Sequence, residues 1–358
     1  MFRAGKLQLQ ELTPRRIALV KPSALGDIAN SLPVLTALRR RFPDAHITWI
    51  VNRGLEPLLR GHPDLDETLP FDRQRFRRGF FRASLGFTTF LRRLRLQRFD
   101  LAVDLQGLLR TGLMSLATGA ARRVGMSCAR EGARWFYTDV VPVPDPENTH
   151  AVERTWTVAR ALGCQDDKVF RLPVDELASA WALEQLHGRP RPWLAVGVGA
   201  RWLTKRWPPQ HFAELLRRVQ ARFGGTAIFI GAAEEAPLAE ATAAQIAGPA
   251  LNLAGRTTLP QLAALLAQAD VMLSNDTGPL HLAVALGRPV VAPYTCTQVK
   301  QNGPFGQAGR AVETAVWCRG SYLKKCSRME CMSELTPDRL WPVLLEVLEA
   351  WQRQSLSA

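Results

Sequence analysis

Short unbroken apolar runs alternate with longer stretches of helical period along most of the chain. Residues 16–21 (RIALVK), 46–51 (HITWIV) and 99–105 (FDLAVDL) lack the in-out alternation of a half-exposed strand, so they predict strands covered on both faces. The segment after the first of these, PSALGDIANSLPVLTALRRRFP, predicts a turn at Gly26 and Asp27 and then an amphipathic helix ending near Arg41 and Pro43. A helical stretch is expected after Gly54, a short strand over 68–71, another over 122–125, and a helix over 152–162 entered through a proline-rich surface crossing. Pro173, Gly188, Pro190 and Pro192 then interrupt the pattern. A fresh series follows: strand 193–198, helix 209–223, strands 226–230, 251–253, 271–274 and 290–293, and a last helix from Pro337 to about Trp351. Strands alternating with helices predict doubly wound parallel sheets. The chain therefore reads as an α/β protein with one Rossmann-like domain over 1–170, a linker over 171–192, a second Rossmann-like domain over 193–335 and a final helix over 336–358, free to pack back on the first domain.

The sharpest local signal is SNDTGPLHLAVALG, residues 274–287, where a strand ends in small polar residues and a helix opens at once. Free N–H groups at Thr277 and Gly278 would stand at the positive end of the helix dipole, and Pro279 gives up only an N–H that had no partner. His281 falls one turn in, on the side facing the same ligand. Helix capping by Asp276 or Thr277 and simple packing of His281 are the plainer roles; their concurrence at one junction favours an anion site. A second turn of this type is GARWLTKRWP, in which Gly197 and Gly199 suit a backbone brought close to a ligand and Lys205 supplies a compact charge. Glu234 and Glu235, just past the next strand, are candidates to accept ribose hydroxyls, with first-turn helix charge as the alternative. In the first half, Asp27 stands where a strand hands over to a helix, either as a carboxylate at the mouth of a cleft or as an N-cap.

Charge changes this picture in one half only. The 358 residues carry a net charge of +14, and residues 1–160 hold 26 Lys+Arg against 15 Asp+Glu, whereas 161–358 hold 20 against 17. From Arg73 to Arg98 there are nine arginines and no acid, interleaved with Phe76, Phe80, Phe81, Phe87 and Phe90. Such a stretch suits an anionic partner held by forked hydrogen bonds, be it a phosphorylated ligand, a membrane surface or RNA. No run of about 18 apolar residues and no apolar signal core is present, so a cytoplasmic protein without a membrane span is expected. Of the six cysteines, Cys318, Cys326 and Cys331 cluster late without a CxxC pair and read as reduced structural thiols ahead of a metal site, for which Cys296 would be a fourth ligand.

RIALVKPSALGDIANSLPVLTALRRRFP, GARWLTKRWP and SNDTGPLHLAVALGRPVV resemble the glycosyltransferase family of the ADP-heptose:lipopolysaccharide heptosyltransferases. VDLQGL, Arg130-Glu131 and HAVER are most like heptosyltransferase I. The resemblance implies a GT-B fold, two doubly wound domains facing across a cleft, and an inverting transfer of heptose from ADP-heptose to a Kdo-lipid A-type glycolipid. It implies Asp27 as general base and Lys205 as the group stabilising the departing ADP. Donor residues would be Gly199, Arg201, Asp276, Thr277, Gly278 and His281, with Thr257 near the adenine and Glu234 or Glu235 on the ribose. Arg73, Arg75, Arg77, Arg78 and Arg130 match the acceptor side. Neither cofactor nor metal is implied, and the expected setting is the cytoplasmic face of the inner membrane, held peripherally on anionic lipid, with no nucleic acid. Another nucleotide sugar or acceptor, and in a different class a basic nucleic-acid-binding protein, are the alternatives. Arg201 and Trp202 replace the residues usual in the heptosyltransferase I loop, and Ser321 stands where related branches place a cysteine.

Overall fold

The structure, a computed structural model, describes residues 8–72 and 80–357, with only the backbone given for 80–85. Two compact units divide the chain, Met1–Pro173 and Val174–Ala358. The first runs β1 (Arg16–Val20), α1 (Leu25–Arg41), β2 (His46–Asn52), β3 (Glu67–Phe71), α2 (Phe80–Leu96), β4 (Leu101–Asp104), α3 (Leu109–Thr118), β5 (Arg122–Met126), β6 (Asp139–Val141) and α4 (Ala151–Ala161). The second opens with α5 (Glu176–Leu186), β7 (Trp193–Gly197), α6 (Pro209–Phe223), β8 (Thr226–Phe229), α7 (Ala236–Ala243), β9 (Ala250–Asn252) and α8 (Leu259–Gln268). It continues with β10 (Val271–Ser274), α9 (Gly278–Ala285), β11 (Val290–Tyr294), α10 (Val299–Asn302), β12 (Ala311–Glu313), α11 (Glu330–Glu334) and α12 (Pro337–Leu356).

Each unit holds a six-stranded sheet, ordered β3-β2-β1-β4-β5-β6 in the first and β12-β11-β10-β7-β8-β9 in the second, and the registered strand pairs are parallel. The winding reverses between β1 and β4, and again between β7 and β10. At such a reversal the loops after neighbouring strands diverge, leaving a crevice at the carboxyl ends where ligands of open α/β sheets bind. Continuous apolar strands fit this burial: in β1, β4, β8, β10 and β11 nearly every residue is buried.

Several sequence expectations change. The stretch 171–192 contains α5, whose start is capped by Asp175 Oδ1 accepting from Ala178 N at 2.8 Å, so its prolines and glycine punctuate a helix. Only a single 3-10 turn, Glu56–Leu58, follows Gly54. The proline-rich crossing begins with a three-residue edge strand, β6. The terminal helix packs into the second unit's own core, with Leu340, Leu344, Val347 and Leu348 buried against Leu215, Leu216 and Val219 of α6. Arg222 to Glu349, at 2.6 Å, adds an ion pair on that seam.

Candidate active site

In the second unit, the crevice between β7 and β10 is built by two loops that lock into one another. Trp207, fully buried, donates its ring N–H to Leu335 O at 2.6 Å and its backbone N–H to Asn275 Oδ1 at 3.1 Å. Asn275 returns its Nδ2 to Val198 O at 2.9 Å, so the loop after β7 is stitched to the end of β10. This anchoring brings Lys205 Nζ to 2.5 Å from Asp276 Oδ2, an atom that also accepts from Thr297 Oγ1 at 2.6 Å. His281 Nε2 lies 3.4 Å from the other oxygen. Burial alone would raise the Asp276 pKa, but the His281 bond and the Lys205 charge outweigh it and hold the carboxyl well below the usual carboxylate range. Asp276 is therefore an ionised hub that orients a lysine and a histidine. The remaining ring nitrogen of His281, Nδ1, is buried and has no partner among the described residues.

Beside this hub, α9 begins with Thr277 as its N-cap, whose side chain accepts none of the first-turn N–H groups. Those donors remain open at the positive end of the dipole. Glu234 is exposed on the turn after β8, and Thr257 is half-buried on the loop after β9; Gly255 N donates to Gly231 O at 2.9 Å and ties the two loops together. Gly199, Arg201, Lys205, Glu234, Glu235, Thr257 and Asp276 to His281 thus lie along one carboxyl edge of the sheet, with Arg201 exposed.

Two glycines of this edge stand where the protein packs closely on itself. A Cβ on Gly197 would meet Ser274 Oγ at 2.3 Å, and one on Gly199 would meet the Glu235 carboxyl at 2.1 Å. The space a side chain would take at each position is filled from within the protein. Glu235 is likewise occupied, accepting from Ala232 N at 2.9 Å, which leaves Glu234 as the exposed carboxylate of the pair.

In the first unit, the corresponding crevice lies between β1 and β4. Asp27 Oδ2 accepts from Ala24 N at 2.7 Å and so closes the first turn of α1, while Oδ1 lies 3.6 Å from Lys21 Nζ. The N-cap of α1 is Ala24; Asp27 stands at the third helical position and reaches back to it with one oxygen, while the other oxygen faces a cation and the side chain is 41% exposed. Lys21 is buried and donates to Leu105 O at 3.1 Å across the β1–β4 reversal. Next to it, buried Asp104 accepts from Gln106 N at 2.8 Å, Gly107 N at 3.0 Å and Tyr137 hydroxyl at 2.7 Å. Burial pushes its pKa up against those hydrogen bonds. Arg130 is exposed on the loop after β5, its N–H donating to Gly107 O at 2.8 Å, so it shares the edge with Asp27. Arg73, Arg75, Arg77 and Arg78 lie outside the described residues.

Asn275, Thr297 and Lys21 were not singled out from sequence. Asn275 had a signal, a polar residue between an apolar strand and the turn it stabilises; Thr297 had none, because its tie to Asp276 spans separate loops. Of the aromatic stretch, Phe87 and Phe90 of α2 pack on Phe71, with ring centroids 6.2 and 5.2 Å away, while Phe76 and the side chains of Phe80 and Phe81 lie outside what the structure describes. Among the described residues the six cysteines are free, and no three His, Cys, Asp or Glu side chains converge as a metal site requires. No described helix is long and apolar enough to cross a membrane.

Two Rossmann-like units, each with a charged constellation at its sheet reversal, are the architecture of the GT-B class, to which many glycosyltransferases belong. Residues 87–333 match Glycosyltransferase family 9 (heptosyltransferase), and the chain belongs to that family. Lipopolysaccharide heptosyltransferase 1 of Pseudomonas aeruginosa is 30% identical over 325 residues, covering 87% of each chain. The E. coli heptosyltransferase WaaC with ADP is similar over 93% of this chain and 99% of its own, at 25% identity and a TM-score of 0.74. A family 9 glycosyltransferase structure from Veillonella parvula shares the fold with a TM-score of 0.83, at 22% identity and over 94% and 98% of the two chains.

Proposed function

We propose that the protein is an inverting heptosyltransferase of the lipopolysaccharide inner core, taking heptose from ADP-heptose and delivering it to a Kdo-lipid A-type acceptor. The observation that carries the reading is the Lys205–Asp276 pair set beside the open first turn of α9, a cation and a set of backbone donors converging where a diphosphate would leave. The names of the relatives support heptose and lipopolysaccharide; the Kdo-lipid A-type acceptor rests on the sequence resemblance alone. Asp27 acts as general base: its Oδ1 takes the proton of the acceptor hydroxyl, whose oxygen attacks the anomeric carbon as the bond to the diphosphate oxygen breaks. Charge building on the departing ADP is met by Lys205 and by the N–H groups of Thr277 and Gly278. His281 Nδ1 bonds a sugar hydroxyl, Glu234 meets the ribose, and Thr257 borders the adenine. Arg130 and the arginines over 73–78 bind the carboxylates and phosphates of the acceptor, and the basic first half holds the enzyme peripherally on anionic lipid.

The test is transfer from ADP-heptose to Kdo-lipid A by wild type and Asp27→Ala. Activity that collapses in the variant while ADP still binds supports the reaction and its base. A wild type that binds ADP without transferring heptose removes the sugar or acceptor from the reading, and one that binds no ADP removes the donor.

A further inference from the structure

One indole carries two ammonium groups. Lys205 Nζ lies 4.9 Å from the centroid of the Trp202 ring and Lys324 Nζ lies 5.4 Å from the same centroid, both within cation–π range. Lys205 comes from the loop after β7, whereas Lys324 belongs to residues 314–329, a segment with Arg319, Lys324, Lys325 and Arg328 and no acidic residue. That segment is fastened directly to the residues flanking the Asp276 hub. Thr204 Oγ1 donates to Leu323 O at 2.5 Å, Tyr322 N to Cys296 O at 2.8 Å, and Gly320 N to Thr295 O at 3.3 Å. Thr204 precedes Lys205, and Cys296 precedes Thr297, so the backbone next to Lys324 is fixed by neighbours of two of the groups that bind Asp276.

The two ammonium groups differ in their balance of charge. Lys205 is neutralised by Asp276 at 2.5 Å, whereas Lys324 meets no acidic partner among the described residues. Lys324 thus stands without a counter-charge on the ring that also carries the Lys205–Asp276 pair, and an anion bound beside Lys205 would supply one. Contact with one shared ring also limits where each ammonium group can go, so less freedom is lost on binding.

We infer that Lys324 is a second cation for the diphosphate of a nucleoside diphosphate bound at Lys205, with Trp202 as the residue that positions both ammonium groups. This rests on the donor reading above and adds two residues to it. The contact answers to the number of phosphates and not to the base. The same loop exposes Trp317 and Leu323, so lipid phosphates are the other source of this chemistry, and the test separates them.

Calorimetric titration of the full-length protein with ADP, AMP and adenosine, at low and at high salt, compares wild type with Lys324→Ala, Lys325→Ala, Trp202→Ala and Trp202→Phe. Lys324→Ala and Trp202→Ala are expected to weaken ADP about five- to twentyfold at low salt, AMP less than about threefold and adenosine not at all, with the effect shrinking at high salt. Trp202→Phe retains most of the affinity and Lys325→Ala all of it. ADP affinity in Lys324→Ala within about twofold of wild type overturns the inference, as does an equal loss for all three ligands, which would mark a folding role. Loss of flotation with anionic vesicles in Lys324→Ala at unchanged ADP affinity assigns the lysine to lipid and overturns it too. A wild type that binds no ADP overturns the donor reading and this inference together, an outcome told apart by the wild-type titration alone.

Discussion

At the residue scale, Asp276 concentrates more of the site than any other single group. A buried carboxylate is tolerable only when its charge is met, and here three side chains meet it. Removing one of them leaves the others facing an undercompensated charge. Lys205→Ala is therefore expected to lower stability by about 1.5–3 kcal/mol, visible as a lower melting temperature, and to cut transfer about a hundredfold through weaker leaving-group stabilisation. A variant equal to wild type in both would mean that Lys205 merely decorates the loop. The pH dependence has a definite sign. Because the folded pKa of Asp276 is depressed, the site contributes stability that is fully present above about pH 4 and is lost as pH falls further, toward the folded value. Unfolding measured from pH 2 to 7 should show a shallower acid decline in Asp276→Asn than in wild type, from a lower starting stability. An unchanged acid limb would place the titrating group elsewhere.

At the element scale, what matters is how closely β7 and β10 approach at the reversal. Gly197 pairs with Ser274 in register, and its missing side chain is replaced by the Ser274 hydroxyl. Adding a methyl group there forces apart two strands that carry the Lys205 loop on one side and the α9 turn on the other. Gly197→Ala should cost about 1–3 kcal/mol and weaken ADP, and Ser274→Ala in the same chain should restore part of both, because a contact at 2.3 Å is removed. Full stability in the single variant would refute the packing argument. This pair also shows what the sequence made legible. A strand running into DTGPxH and then an apolar helix is a local signature, so the turn and α9 were readable from a few consecutive residues. Glycine at 197 and 199 announced a close approach, but the approaching atom comes from Ser274 or Glu235, and no local rule identifies it. The same limit hid Thr297, which reaches Asp276 from the loop after β11, and turned α5 into a linker, since its prolines and glycine punctuate helices and linkers alike.

For the whole molecule, the charge asymmetry and the division into two units place separate demands on separate halves. Residues 1–160 hold 26 basic against 15 acidic residues, while 161–358 hold 20 against 17, and the unit boundary falls at Pro173. The long-range field therefore belongs to the unit that carries Asp27 and Arg130, and the compact hub at Asp276 belongs to the other. A field of this kind acts over the Debye length, about 10 Å at 0.1 M salt, and would draw the protein to an anionic surface by about 1 kcal/mol per basic residue near it, as the proposed attachment requires. The hub depends on contacts of 2.5 to 3.4 Å inside a buried site, where salt screens far less. The two activities should then separate under ionic strength. Flotation with vesicles containing anionic lipid is expected at low salt and is expected to vanish near 0.5 M salt, while ADP affinity falls by less than about tenfold over the same range. Exposed Arg92, Arg93 and Arg95 on α2 supply a variant that leaves the donor hub untouched. Their joint substitution by glutamine should lower flotation and leave ADP binding within about twofold of wild type. Equal binding to neutral and anionic vesicles would remove the field from the account of how this enzyme meets its acceptor, and that acceptor would then have to be recognised by the close contacts of Arg130 and its neighbours alone.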